Sequence, residues 1–447
     1  MAWNRIEILK KIKPSPEERN RIKRFLDNLY KIAERHAKPF NAYPMFVGSI
    51  AKNTWLRGDH DIDLFLIFKA RFPKEKLEDY GLKIGVSISE ELGGKYILKY
   101  AEHPYVHILA SGYEIDVVPC YEIKEGEKII SAVDRSPLHY KYVKSKLTPS
   151  LCDEVRLLKY FCKVIGVYGS DVVTQGVSGY LCELLIINFG SFTKTLNEIS
   201  KWFFGEFIDI EGLSNKKEAI RKFRNEPLIV IDPVDKNRNV ASSLSAENLW
   251  ILINEAKKFV ETKEFPKPKK QKAKPFLIQK LKKERETYFF GVVFEKCEGE
   301  ILDTIYPQLR KLQRRIHSYL EMEEFKVVRA FSFINQNCYM IFEVESKHLP
   351  KIKKNEGPII FSKENVFRFL QKYPNAYIEG IRFYSDVRRR YQNVITAVKS
   401  FFRERKEEIP KDYQKRAFRI LEEEELIERV EKDKALNIFL QNKYFSK

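Results

Sequence analysis

The chain has 447 residues, well beyond the roughly 100 to 200 that one core usually holds, so several domains are expected. Its 81 Lys and Arg against 62 Asp and Glu leave a formal charge of +19, and 44% hydrophobic with 13% aromatic residues exclude a disordered polyelectrolyte. No apolar run reaches the roughly 18 residues of a membrane span, and Met1-Ala2-Trp3-Asn4-Arg5 does not read as a signal peptide, so secretion and membrane insertion are disfavoured.

In chain order, Ser15-Pro16-Glu17-Glu18 reads as an N-cap, a first-position proline and first-turn acids. Ile22, Phe25, Leu26, Leu29 and Ile32 follow at helical spacing, so a helix is predicted to about Ala37. Met45 to Val47 reads as a short strand ending at Gly48-Ser49, and Ile50 to Leu56 as a short helix closed by Gly58. Asp61 to Phe68 is a strand; a helix follows over about Lys74 to Leu92, then strands at Ile97 to Tyr100, Val106 to Ala110 and Tyr113 to Val118. An antiparallel or mixed sheet with helices on one face results.

From Glu154 the pattern turns helical. Val155, Leu158, Cys162 and Ile165 form an apolar stripe, and Arg156, Lys159 and Lys163 share another face that reads as basic. Ser178 to Phe189 and Ala246 to Phe259 are further helices. Phe265 to Pro275 is rich in Pro and Lys, resists packing and marks a domain boundary. Tyr288 to Phe294, Pro307 to Leu320, Val327 to Ile334 and Cys338 to Val344 read as strand, helix, strand, strand, half of a ferredoxin-like sandwich. A helix carrying Arg388-Arg389-Arg390, with Val387, Tyr391, Val394, Val398 and Phe401 on its apolar side, is predicted next.

The six cysteines are scattered with no Cys-x-x-Cys, which fits reduced thiols in a cytoplasm. His103 and His107 flank Pro104 in a strand-like stretch without the Glu of a zinc-protease helix, which argues against a metal-histidine site. The positive surplus attracts polyanions, either nucleic acid or an anionic membrane face; a Lys/Glu-rich surface of the heat-adapted kind is the plainer alternative.

A strand-to-helix turn such as Gly48-Ser49 offers backbone N–H groups to an anion, although such turns are common where nothing binds. Asp61 and Asp63 sharpen the reading. Residues two apart on a strand project from one face roughly 7 Å apart, close enough for two carboxylates to serve one metal pair. Asp116, on a later strand, is placed to add a third. Acids gathered on one face repel one another without cations, and Mg²⁺ prefers oxygen ligands.

Gly48-Ser49, an eleven-residue gap, Asp61-Ile62-Asp63 and a later strand Asp resemble the signature of the DNA polymerase β nucleotidyltransferase superfamily. More narrowly, Phe46 to Leu56, Glu114 to Cys120, Ser178 to Leu185 and the pair Val230 to Asp235 and Arg238 to Ala241 resemble class I (archaeal-type) CCA-adding tRNA nucleotidyltransferases. The resemblance implies an α+β, multidomain chain: a nucleotidyltransferase palm with an antiparallel or mixed sheet (1–140), a helical central nucleotide-binding domain (141–262), and a ferredoxin-like (RRM-like) C-terminal domain with a basic helical tail (275–447).

It also implies that Asp61, Asp63 and Asp116 hold two Mg²⁺ for in-line nucleotidyl transfer, adding C-C-A to tRNA from CTP and ATP without a nucleic-acid template. By the same resemblance Gly48, Ser49, Lys52, His139, Lys159 and Tyr168 contact the nucleotide. Arg238 shapes the base pocket together with RNA phosphates. The basic tail with Arg388, Arg389 and Arg390 follows the acceptor stem and T arm, no membrane is involved, and a homodimer is the family's habit. Two departures stand out: Lys52 replaces the family's common Arg, exchanging a planar fork for a point charge, and Asp61 stands where Glu is frequent. A poly(A)-polymerase-like or oligoadenylate-synthase-like enzyme would share the carboxylates, and a non-catalytic RNA-binding scaffold would use only the basic tail.

Overall fold

A computed structural model of the chain describes residues 3–100, 103–123, 127, 129–268, 272–296 and 300–445. They fall into two compact units, Met1–Lys269 and Lys270–Lys447. The boundary lies in the Pro/Lys-rich stretch, whose residues 269–271 are outside the described ones.

The first unit opens with a helix missed in the sequence, α1 (Arg5–Ile12), capped by Asn4. The expected helix follows as α2 (Pro16–Ala37). The Ser15 hydroxyl accepts from the Glu18 N–H and the Glu18 carboxylate accepts from the Ser15 N–H, closing a capping box. Then come β1 (Ala42–Phe46), α3 (Gly48–Ala51), β2 (Asp61–Phe68), α4 (Lys74–Glu91), β3 (Lys95–Tyr100), β4 (Pro104–Ala110) and β5 (Tyr113–Tyr121). The five strands form one sheet in the order β1-β2-β5-β4-β3. Only the β2–β5 pair is parallel, so the sheet is mixed.

Helices α2 and α4 cover one face, burying Ile62, Leu64, Leu66 and Phe68 with Ile22, Leu29, Ile84 and Ile88. Contrary to the one-faced expectation, the far half of the other face is covered as well. There Phe65 and Ile67 of β2 join Val118 and Cys120, with Val133 and Tyr140 against them. The start of β2, with Asp61 and Asp63, stays outside both cores. The helix expected over Ile50 to Leu56 is also corrected: α3 is one turn at Gly48–Ala51, and Asn53 takes a left-handed backbone (φ 57). Side-chain bonds to the carbonyls of Asn53 and Trp55 hold the rest as loop.

The remainder of this unit is built on α5 (Arg135–Lys146), α6 (Pro149–Ile165), α7 (Gly179–Phe189), α8 (Phe192–Ile199), β6 (Glu206–Ile208), α9 (Lys216–Lys222), β7 (Leu228–Asp232), β8 (Asp235–Asn239) and α10 (Ala246–Thr262). Val155, Leu158 and Phe161 of α6 and Leu181, Leu184 and Leu185 of α7 centre its core, which also takes Leu9 and Ile12 of α1. The basic face expected on α6 does not exist as such. Arg156 and Lys159 are 0% and 2% exposed, and only Lys163 reaches solvent, where it pairs with Asp59 at 3.2 Å. Each buried cation has found acceptors, which periodicity alone cannot reveal.

The second unit contains α11 (Leu277–Arg285), β9 (Tyr288–Glu295), α12 (Leu302–Met322), β10 (Val327–Ile334), β11 (Asn337–Val344), β12 (Ile352–Ile359), α13 (Lys363–Lys372), β13 (Tyr377–Glu379), β14 (Arg382–Arg388), α14 (Val394–Glu404), α15 (Lys411–Gln414), β15 (Phe418–Leu421), α16 (Glu423–Lys432) and α17 (Lys434–Phe445). Its antiparallel sheet, β10-β11-β9-β15, completes the ferredoxin-like sandwich: α14 and β15 supply the second half after an inserted three-stranded sheet, β12-β14-β13. The predicted arginine helix is corrected. Arg388 ends β14 opposite Ile352, and Arg389 and Arg390 lie in the following loop. Helix α14 starts only at Val394, where Asn393 caps it. Val394, Val398 and Phe401 are buried as expected.

Among the described residues no helix is long and apolar enough to cross a membrane. Cys120, Cys152, Cys162, Cys182 and Cys338 are free and buried; Cys297 lies outside the described residues.

Candidate active site

Asp61 and Asp63 occupy alternate positions of β2 and therefore share a face. The parallel register places Asp63 opposite Asp116 of β5 and Asp61 opposite Glu114, so the third carboxylate joins the first two across one strand spacing. Burial, reinforced by the Asp116 and Asp61 charges, pushes the Asp63 carboxyl up to about 6. Asp61 is also raised, first by burial and then by Glu114, Asp59 and Asp116. This is the crowding of like charge that a cation relieves. Among the described residues no three Asp, Glu, His or Cys side chains are already gathered as a finished metal cluster. One Asp116 oxygen is instead engaged by His107 Nδ1 at 2.6 Å, from the neighbouring strand β4. Hard oxygen donors whose burial and mutual repulsion outweigh the opposing Lys52 and Lys159 charges suit Mg²⁺, so the residues present fit that ion.

The Gly48-Ser49 turn abuts these acids. A Cβ on Gly48 (φ 69) would lie 1.8 Å from Asp63 Oδ2, so only glycine lets the turn and the carboxylate approach. Lys52 follows at the end of α3. Its Nζ donates to Glu183 Oε2 of α7 at 2.5 Å, while the Thr54 hydroxyl donates to Glu183 Oε1 at 2.6 Å. Lys159 Nζ donates to Thr54 Oγ1 at 3.0 Å and lies 3.6 Å from Glu183. Burial pushes Glu183 up, but Lys52 and Lys159 outweigh it and hold the carboxyl below the usual range. Burial depresses Lys159, and Glu183 opposes that shift. A Cβ on Gly179 would come within 3.2 Å of the Tyr168 hydroxyl and 3.3 Å of Lys159 Nζ, so both groups flank the start of α7.

His139 and Arg238 meet at one carboxylate. Asp232, fully buried at the end of β7, accepts from His139 Nε2 at 2.8 Å and Arg238 Nη1 at 2.7 Å through one oxygen. Its other oxygen accepts from the Tyr180 hydroxyl at 3.2 Å and the Val234 N–H at 3.1 Å. His139 stacks on Tyr180 at 4.0 Å, and Lys52 Nζ lies 5.5 Å over the other ring partner of that stack, Tyr180. The fold thus links Gly48, Lys52, His139, Lys159, Tyr168 and Arg238 into one chain of contacts, with Ser49 at the turn beside it. Arg388, Arg389 and Arg390 belong to the second unit. There Arg389 pairs with Glu324 and Arg390 with Glu404, while Arg388 is exposed.

Residues 26–139 match the family described as nucleotidyltransferase domain, 153–267 match tRNA nucleotidyltransferase, second domain, and 285–422 match CCA-adding enzyme, C-terminal domain. The chain is 41% identical over 404 residues to the CCA-adding enzyme of Methanocaldococcus jannaschii, covering 88% of this chain and 89% of that one. It is 39% identical over 363 residues to the Archaeoglobus fulgidus enzyme (80% of each chain) and 38% over 387 residues to that of Pyrococcus abyssi (84% of each). The chain belongs to the CCA-adding enzymes. It is therefore a tRNA nucleotidyltransferase of α+β, multidomain build.

Four polar residues that bond to the candidate site residues or to the loop that carries them escaped the sequence reading of this CCA-adding enzyme: Glu183, Asp232, Arg156 and His107. A signal existed for two of them. Glu183 is the one acid in the apolar helix α7, and Asp232 ends the wholly buried strand Leu228–Asp232; a charge in such a setting needs a partner. Arg156 gave none. It is fully buried and donates to the carbonyls of Trp55 and Asn53, to Asn53 Oδ1 and to Asp153, pinning the loop that carries Lys52 and Thr54.

Proposed function

We propose that the chain builds and repairs the 3′-terminal C-C-A of tRNA, one nucleotide at a time, from CTP and ATP. The observation that carries the reading is the in-register pairing of Asp63 with Asp116 beside the Gly48-Ser49 turn. In this reaction a 3′-oxygen bonds to the α-phosphorus as the bridge to the β-phosphate breaks, and pyrophosphate leaves with the electron pair. Asp61, Asp63 and Asp116 would hold two Mg²⁺, which when bound supply Lewis acidity for the 3′-hydroxyl and charge for the triphosphate.

The chain's own residues do the positioning. Lys52 and Lys159 present ammonium donors to the phosphates and Ser49 a hydroxyl, with Tyr168 alongside. His107 orients Asp116 through their 2.6 Å bond. Asp232 fixes His139, Tyr180 and Arg238 as one wall, the side on which the base and the RNA end are read. The acceptor stem and T arm bind along basic surface that includes Arg388, and buried reduced cysteines accord with a cytoplasmic enzyme.

Extension of a tRNA trimmed of its last three nucleotides, with each NTP offered separately and together, tests this. Incorporation of two C and one A, then arrest, is expected; a long A tail, or no transfer at all, refutes it.

A further inference from the structure

Glu183 is the one charged residue of helix α7, and its side chain is 1% exposed. A carboxylate so placed persists only with strong partners. Its partners come from two other elements: Lys52 from the loop after α3 and Lys159 from α6. Thr54 bridges them, accepting from Lys159 and donating to Glu183, so the direction of every donor is set. One carboxylate serves two ammonium groups, leaving a positive surplus beside the turn that faces Asp63.

We infer that Glu183 is a positioning residue for the nucleotide: as the counter-ion shared by Lys52 and Lys159, it aims both jointly at the triphosphate. This rests on the reading of the two lysines as phosphate ligands. A buried ammonium without a counter-ion sheds its proton, and Lys159 faces Lys52 and Asp63 as well as Glu183, with Tyr168 and Cys182 as the other titratable neighbours. Lys52 repels its charge, Asp63 makes no bond with it, and burial holds the Tyr168 hydroxyl in its neutral form, so Glu183, which also bonds Lys52 and Thr54, is the group that retains it.

The test is Glu183→Gln in the full chain, measured by extension of trimmed tRNA at pH 7 and pH 9. The KM for CTP and for ATP should rise together, about tenfold at pH 7 and further at pH 9, with kcat changed far less and the KM for tRNA unchanged. Glu183→Asp should recover part of the loss and remove its pH dependence. An equal rise in KM at both pH values, or a fall in kcat with KM intact, overturns the inference. Should Glu183→Gln fail to fold, the pair Lys159→Met with Glu183→Gln removes the carboxylate together with the more deeply buried of its two cationic partners. Weak nucleotide binding without the pH dependence is expected of it, and a parental KM overturns the proposal. Lys159→Met alone separates the two claims: a parental KM there refutes the phosphate-ligand reading, whereas a raised KM there with a parental KM in Glu183→Gln refutes only the role of Glu183.

Discussion

Replacing Gly48 with alanine separates site geometry from stability. A Cβ there would sit 1.8 Å from Asp63 Oδ2 and 2.7 Å from its Cγ. Ordinary contact needs about 3.4 Å, so the carboxylate or the turn must shift by about 1.5 Å, and misplacement on that scale costs roughly 100-fold in rate. The left-handed backbone (φ 69) adds about 1–2 kcal/mol of strain for a residue with a Cβ. Gly58 is the control. Its φ is 84, yet a Cβ there meets nothing within 4 Å, so Gly58→Ala pays the same strain without touching the carboxylates. Single-turnover CTP incorporation into trimmed tRNA, with thermal unfolding of both variants, is the measurement. Both should lose a few degrees of Tm, and only Gly48→Ala should lose about two orders of magnitude in rate. Near-parental activity in Gly48→Ala, or an equal loss in Gly58→Ala, refutes the reasoning.

Arg156→Lys keeps a charge but cannot reach the carbonyls of both Asn53 and Trp55; a loss of about 3–5 kcal/mol in denaturant unfolding is expected, with a raised KM for both nucleotides. Acid should destabilise the first unit in two stages. Burial lowers His139, so below about pH 6.5 the unfolded chain takes up a proton that the folded chain refuses, and His139→Gln should flatten that limb. Asp232 is buried, which raises it, but His139 and Arg238 hold it below its ordinary value. Its stabilisation is therefore complete above about pH 4 and lost as pH falls further, and Asp232→Asn should remove that second limb of the stability-versus-pH curve. Because Arg389 and Arg390 are already paired with glutamates, Arg388→Ala should account for most of the loss of tRNA affinity seen on replacing all three. Filter binding at several salt concentrations checks this, and a negligible effect of Arg388→Ala refutes it.

Local chemistry made much of this protein legible in its residues. The cap at Ser15, the alternation of Asp61 to Phe68, the break at Phe265 to Pro275 and the βαββ run all rest on neighbours a few positions apart. So did the shared face of Asp61 and Asp63, because strand alternation places them without reference to the rest of the chain. What joins Asp63 to Asp116 is the register of two strands some 50 residues apart in sequence, and only packing sets that. The same holds for Arg156 and Lys159. Helical spacing puts them on a face that reads as solvated, and whether a cation is hydrated or buried depends on acceptors from loops distant in the chain, here Asn53, Thr54 and Trp55. Arg388 to Arg390 failed as a helix for a related reason: apolar spacing cannot register that β12 captures Arg388 in a sheet and that Asn393 starts the helix later. Spacing along the chain thus determined most of the elements and the shared face of Asp61 and Asp63, whereas the pairing of buried charges was decided by contacts that exist only once the chain has closed on itself.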